Sequence, residues 1–170
     1  MPWLMIDSPD AAWTKQQLTE HLALIAHLLQ ANAFKPATPF IKQSQISWIA
    51  LIGAVSDLVR QALVAGKRID FTEEVNSDDE RQDITSLLDS MRQSAYVSSD
   101  NNLARPNLTI IFPNLNYVYG VGTGYFPNGL FFRCTYENEL TFFVGRDRIF
   151  FHRHLMRAFM EARCYLLSLP

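Results

Sequence analysis

The stretch Gly129-Leu-Phe-Phe-Arg-Cys-Thr-Tyr-Glu-Asn-Glu-Leu-Thr-Phe-Phe-Val-Gly145 constrains the fold more than any other, because two runs of β-formers flank a short polar turn. Read as a hairpin, it has two registers. A two-residue loop at Glu137-Asn138 sets Tyr136 against Glu139 and mixes apolar with polar side chains on each face. A three-residue loop, Glu137 to Glu139, sets Tyr136 against Leu140. Leu130, Phe132, Cys134 and Tyr136 then share a face with Leu140, Phe142 and Val144, and Phe131 and Phe143 are exceptions on the polar side. A one-residue slip would turn the apolar set to solvent, so the second register is expected. At ~1.5–3 kcal/mol per buried large side chain, that face is the largest local source of stability in the sequence.

The rest of the chain supplies what packs on it. Leu18, Leu22, Ile25 and Leu29 repeat at helical spacing after Ser8-Pro9, a cap followed by a first-turn proline. Trp48 to Leu63 is apolar around most of a helix, so that helix must be covered on more than one side. Ser77 and Glu80 form a capping box ahead of Ile84, Leu87, Leu88, Met91 and Ala95, and Ser98–Asn102 reads as a polar loop. Trp3–Ile6 and the surroundings of Ile69 and Phe71 could each hold a short strand. The expected fold is a single α+β domain over residues 1–170. Helices over about 9–31, 44–65 and 78–95 pack on an antiparallel sheet. Its strands run over about 108–112, 115–120, 130–136 and 140–144, and a helix over about 150–168 closes the domain. Periodicity leaves 148–151 undecided between strand and helix.

The net charge of −2 gives no general attraction to nucleic acid or anionic lipid. Cys134 and Cys164 form no C-x-x-C pair and no zinc spacing, so reduced thiols and a cytoplasmic location are expected. No basic leader precedes Asp7, and the run Trp48–Val55 is far short of the ~20 residues of a membrane helix. No membrane association is expected.

Signals for chemistry are few. Gly120, Gly122 and Gly124 are spaced G-x-G-x-G and lead into a Phe-Pro-Asn-Gly turn, unlike the strand–glycine–helix arrangement that cradles a dinucleotide. Asp79 and Asp83 lie four apart without a facing acidic helix, so acids in a first helical turn explain them better than magnesium does. His152 and His154 would diverge on a helix and lack a third ligand, so a pair of helix-surface histidines among arginines is expected there. No cofactor and no metal is implied, and no catalytic constellation is found.

Charge is uneven, however. Residues 146–163 carry five arginines against two acids, whereas residues 70–89 carry eight acids against Arg81 alone. Such patches either face each other within the fold or meet across a subunit contact. With twelve phenylalanines, six tyrosines and three tryptophans, the chain is rich in residues favoured at interface centres. The expected function is therefore non-enzymatic binding inside the cell, with self-association into a homo-oligomer and a possible protein partner. The alternative is a small-molecule site or enzyme pocket between sheet and helices, with Tyr117, Tyr119, Gly122, Gly124 and Tyr125 at its mouth. A weaker alternative is contact of Arg146, Arg148, Arg153 and Arg157 with anions such as a nucleic-acid backbone, although nucleic acid is not the expected partner.

Overall fold

The computed structural model describes residues 11–35, 42–75, 82–103 and 115–170. Trp3–Ile6, the Ser8-Pro9 step, the Ser77–Glu80 box and the strand expected over 108–112 lie outside them. Helix α1 (Lys15–Leu28) starts later than position 9 because Thr14 caps it. The Thr14 hydroxyl accepts the Gln17 N–H at 3.2 Å, and the Gln17 side chain accepts the Thr14 N–H at 2.8 Å. This reciprocal pair satisfies amides that a first turn leaves open. Ile25 is fully buried, and Leu18, Leu22 and Leu29 pack against the core.

Helix α2 (Lys42–Val64) is the centre of the molecule and touches α1, both other helices and the 3-10 turn Asn32–Phe34. Trp48, Leu51, Ile52, Val55, Leu58, Val59 and Ala62 are all but inaccessible. Its length and composition would suit a membrane span over Gln43–Val64, but 61% of the span's apolar window is buried by the rest of the fold. The helix stops at Gly66, whose φ of +102° lets the Lys67 N–H reach back to the Ala62 carbonyl at 2.8 Å.

No strand forms around Ile69 and Phe71. Both side chains are buried, but their backbone is tied to a helix start: Thr85 Oγ1 donates to the Ile69 carbonyl at 2.6 Å, and the Ile84 N–H to that of Phe71 at 3.1 Å. Helix α3 (Ile84–Leu103) begins after the non-helical pair Gln82-Asp83, and not at 78. Asp83 caps it by accepting the Ser86 N–H at 2.9 Å and is gripped from outside by Arg68 at 2.7 and 3.0 Å. The helix runs on past 95 through Ser98–Asn102, a stretch with no glycine or proline to stop it.

Among the described residues five antiparallel strands follow, in two ladders. Strands β1 (Leu115–Tyr119), β4 (Leu140–Val144) and β5 (Asp147–Phe150) form a three-stranded sheet in the order β1-β4-β5. Among the described residues, strands β2 (Gly122–Tyr125) and β3 (Phe131–Cys134) pair only with each other, around the Phe126-Pro127-Asn128-Gly129 turn. The hairpin expected between 130–136 and 140–144 is therefore not made: β3 turns to β2, and β4 to β1 and β5.

The expected common face fails with it. Phe142 stacks on Trp48 on the helix side of the sheet, together with Leu140, Val144 and Ile149. Phe143 points the other way, onto Phe126, which in turn stacks on Phe132. Phe132 and Phe142 thus lie on opposite sides, and Tyr136 meets Phe150 instead of sharing a side with Leu140. The reason is that β4 is buried on both faces, by helices beneath and by the β2–β3 hairpin above. A strand covered twice gives no polar face from which to read register.

After β5 the chain enters a π-helical turn, Phe151–Met156, which passes into helix α4 (Arg157–Ser168). Phe151, Leu155, Ala158, Phe159 and Ala162 are buried along it, and Leu166 is partly buried against the same core.

Candidate functional site

Within the fold, Glu73 and Glu74 of the acidic segment meet the basic segment. The buried side chains of Phe71 and Val75 anchor a turn whose tip is Glu73-Glu74, and the turn is closed by the Val75 N–H on the Thr72 carbonyl at 3.1 Å. Glu74 has a φ of +61°, the one positive value at a non-glycine residue among those described. For a side chain of this kind the left-handed region costs ~1–2 kcal/mol, so surrounding contacts must hold it there.

Those contacts come from the C-terminal elements. The Tyr136 hydroxyl donates to Glu74 Oε1, and Arg153 Nη1 reaches the same oxygen at 3.3 Å. Arg148 Nη2 donates to the Glu74 carbonyl at 3.2 Å. Arg157 pairs with Glu73 Oε2 at 3.3 Å and with Glu161 at 2.8 Å. Each guanidinium also rests on a ring: Arg153 on Tyr136 at 3.6 Å, Arg157 on Phe71 at 3.9 Å and Arg148 on Phe150 at 4.7 Å. The Tyr136 phenol is pushed above its ordinary range, first by its hydrogen bond to Glu74. The Glu73 carboxyl is held below its range, chiefly by the backbone N–H of its own residue, with Arg157 adding to the effect.

His154 completes the arrangement from below. It is 1% exposed, between Phe71 and Phe150. The Phe150 N–H points at Nδ1 at 3.2 Å, so that nitrogen accepts and the proton sits on Nε2, which donates to the Glu73 carbonyl at 2.9 Å. Burial pushes its pKa below the ordinary histidine value. His152 and His154 are thus not a surface pair. His152 stays exposed, and its ring and backbone N–H meet the buried Glu139 carboxylate at 3.1 and 2.8 Å. Glu139 also accepts the Arg153 N–H at 3.2 Å and so closes the open amides of the π-helical turn.

The arginines singled out from sequence divide accordingly. Arg148, Arg153 and Arg157 converge on Glu73-Glu74, whereas Arg146 lies exposed in the turn between β4 and β5. The tyrosine and glycine set is not brought together. Tyr117 lies opposite Phe142 and packs on the main core, where burial raises its pKa. Tyr119 is 40% exposed and reaches Asn138 at 3.4 Å. Gly122 and Gly124 leave room for the Phe132 ring, which a Cβ would meet at 3.5 and 3.3 Å. Tyr125, 74% exposed, lies on the outer face of the hairpin, where its ring contacts Phe131 at 5.4 Å. Val121, Thr123 and Arg133 are exposed beside them.

A cavity of about 170 Å³ opens elsewhere, among Trp13, Lys15, Leu18, Gln61, Leu166 and Leu169. Among the described residues no three His, Cys, Asp or Glu side chains gather into a metal-binding group. Sequence reasoning found the opposed charges but missed Glu73, Glu74, Tyr136, Glu139 and His154. Glu74 and Tyr136 are 62 residues apart, and no local pattern links them. The chain matches no protein-family model, no curated protein and no solved structure.

Proposed function

We propose that the protein acts by binding and not by catalysis, in a reducing compartment, and that it associates with a second copy of itself through the outer face of the β2–β3 hairpin. One observation carries this: Val121, Tyr125 and Phe131 stand 64%, 74% and 52% exposed on one face of a ribbon whose other face is packed. Apolar side chains gathered this way mark contact surfaces. The face bears a single charge, Arg133, among Val121, Thr123, Tyr125 and Phe131, so two copies related by a two-fold axis meet without strong repulsion. The engagement of Arg153 and Arg157 by glutamates favours protein contact over nucleic-acid phosphates. Sedimentation equilibrium of the wild type and of Tyr125→Ser and Phe131→Ser tests the proposal. A concentration-dependent dimer weakened by both substitutions is expected; a wild type that stays monomeric at high micromolar concentration removes it.

A further inference from the structure

The hold on Glu73-Glu74 is a form of peptide recognition. Two carboxylates meet Arg157, Arg153 and Tyr136, and two consecutive main-chain carbonyls meet His154 Nε2 and Arg148 Nη2. A lone anion would use the first set only. We propose that Arg148, Arg153, Arg157, Tyr136 and His154 form a binding site for an acidic Glu-Glu peptide of a partner protein, which the chain's own Glu73-Glu74 turn occupies as an internal stand-in.

Four features support exchange. The resident turn is held with Glu74 at a positive φ, a conformation that an incoming peptide need not adopt. The side chains of Arg153 and Arg157 remain 48% and 40% exposed and that of Glu73 66%, so a competitor can reach the cations from solvent. The rings of Tyr136 and Phe150 support Arg153 and Arg148 independently of the glutamates, which keeps that part of the site formed when the turn leaves. Phe71 and Val75, each 8% exposed, stay in the core on either side, so only the two-residue tip has to move. This surface is separate from the hairpin face, and the two proposals stand or fall independently.

The test uses a fluorescent peptide centred on Glu-Glu, its Gln-Gln counterpart, and inorganic pyrophosphate as a bare anion. Fluorescence anisotropy should show the Glu-Glu peptide binding Glu73→Gln/Glu74→Gln at least about tenfold more tightly than wild type, since apparent affinity rises as the competent fraction rises. Adding Arg153→Gln should abolish the gain, and the Gln-Gln peptide should not show it. Equal affinity of wild type and a folded double variant for the Glu-Glu peptide overturns the proposal. So does pyrophosphate binding that follows the variants while the peptide does not bind. Should the double variant not fold, hydrogen exchange of the wild type in excess Glu-Glu peptide decides: faster exchange of the 72–75 amides is expected, and unchanged exchange overturns the proposal.

Discussion

The Trp48 indole lies flat on the Phe142 ring, with centroids 4.5 Å apart and planes 1° from parallel. Phe34 and Phe151 close on the indole edgewise at 5.1 and 5.8 Å, so this one side chain joins α2, the 3-10 turn, β4 and the π-helical turn. Replacing either stacked partner by alanine is expected to cost about 3–5 kcal/mol in urea denaturation. A double-mutant cycle between Trp48→Ala and Phe142→Ala should return a coupling of about 0.5–1.5 kcal/mol, and additive losses would deny the stack any energy of its own.

The cluster of glycines should prove unequal. Gly120 has a φ of +76°, and a Cβ there would sit 3.1 Å from the Glu137 carbonyl oxygen. Gly120→Ala should therefore cost about 2–3 kcal/mol, combining strain with the collision. At Gly122 a Cβ meets Phe132 at an ordinary 3.5 Å, and Gly122→Ala should stay within about 0.5 kcal/mol of neutral. Thermal melts of the two variants give the comparison directly.

Acid should loosen the clasp through His154. Its folded pKa lies below the ordinary value of 6.5, so as pH falls through 6.5 the unfolded chain takes up a proton that the folded one refuses. Stability then drops with a slope of up to about 1.4 kcal/mol per pH unit, and levels off once the pH is below the folded pKa. Burial is the main cause. Among the charges facing the ring, Arg148 of β5 reinforces it, while Glu74 of the turn and Glu139 before β4 oppose it. Midpoints of urea unfolding between pH 7.5 and 5.5 should slope less in His154→Phe than in wild type (the range brackets the ~6.5 reference). Parallel slopes would assign the acid sensitivity elsewhere.

Asp83 answers in a lower window. Desolvation raises its pKa, but Arg68 and the Ser86 backbone and hydroxyl outweigh it, and the net shift is downward from 3.8. Its contribution is present above pH 3.8 and lost as pH falls through the folded value. Asp83→Ala should cost about 1–3 kcal/mol at neutral pH, discounted because the Arg68 side chain is 44% exposed. Asp83→Ser, which keeps a capping oxygen, should recover about 1 kcal/mol of that in the same denaturation assay.

What could be seen in the sequence was whatever local periodicity determines. Trp48, Leu51, Ile52 and Val55 announce a helix buried on several sides, and α2 is one. Ile84, Leu87, Leu88 and Met91 place the buried face of α3, and Phe151 to Ala162 that of the closing helix. The strands expected over 115–120, 130–136 and 140–144 form as β1, β3 and β4, but none was expected over β2, none forms around Ile69 and Phe71, and the pairing was not legible. Phe143 broke the alternation of the supposed hairpin, and that break recorded the double burial of β4, whereas Phe131 is exposed on the outer face of β3. The choice between β1 and β3 as its neighbour depends on distant residues, with Tyr119 opposite Leu140 and Leu115 opposite Val144. His154 was misplaced because a π-helical turn rotates side chains off the 100° spacing of an α-helix. The clasp was visible only as a charge imbalance, since its members come from four separate stretches.

Because β4 is the middle strand, neither the helices nor β1 has a finished wall without it. During synthesis α1, α2 and α3 leave the ribosome with the Trp48 side still bare. The ladder closes only when residues 140–150 have emerged, so the cover over Trp48 waits on these last strands.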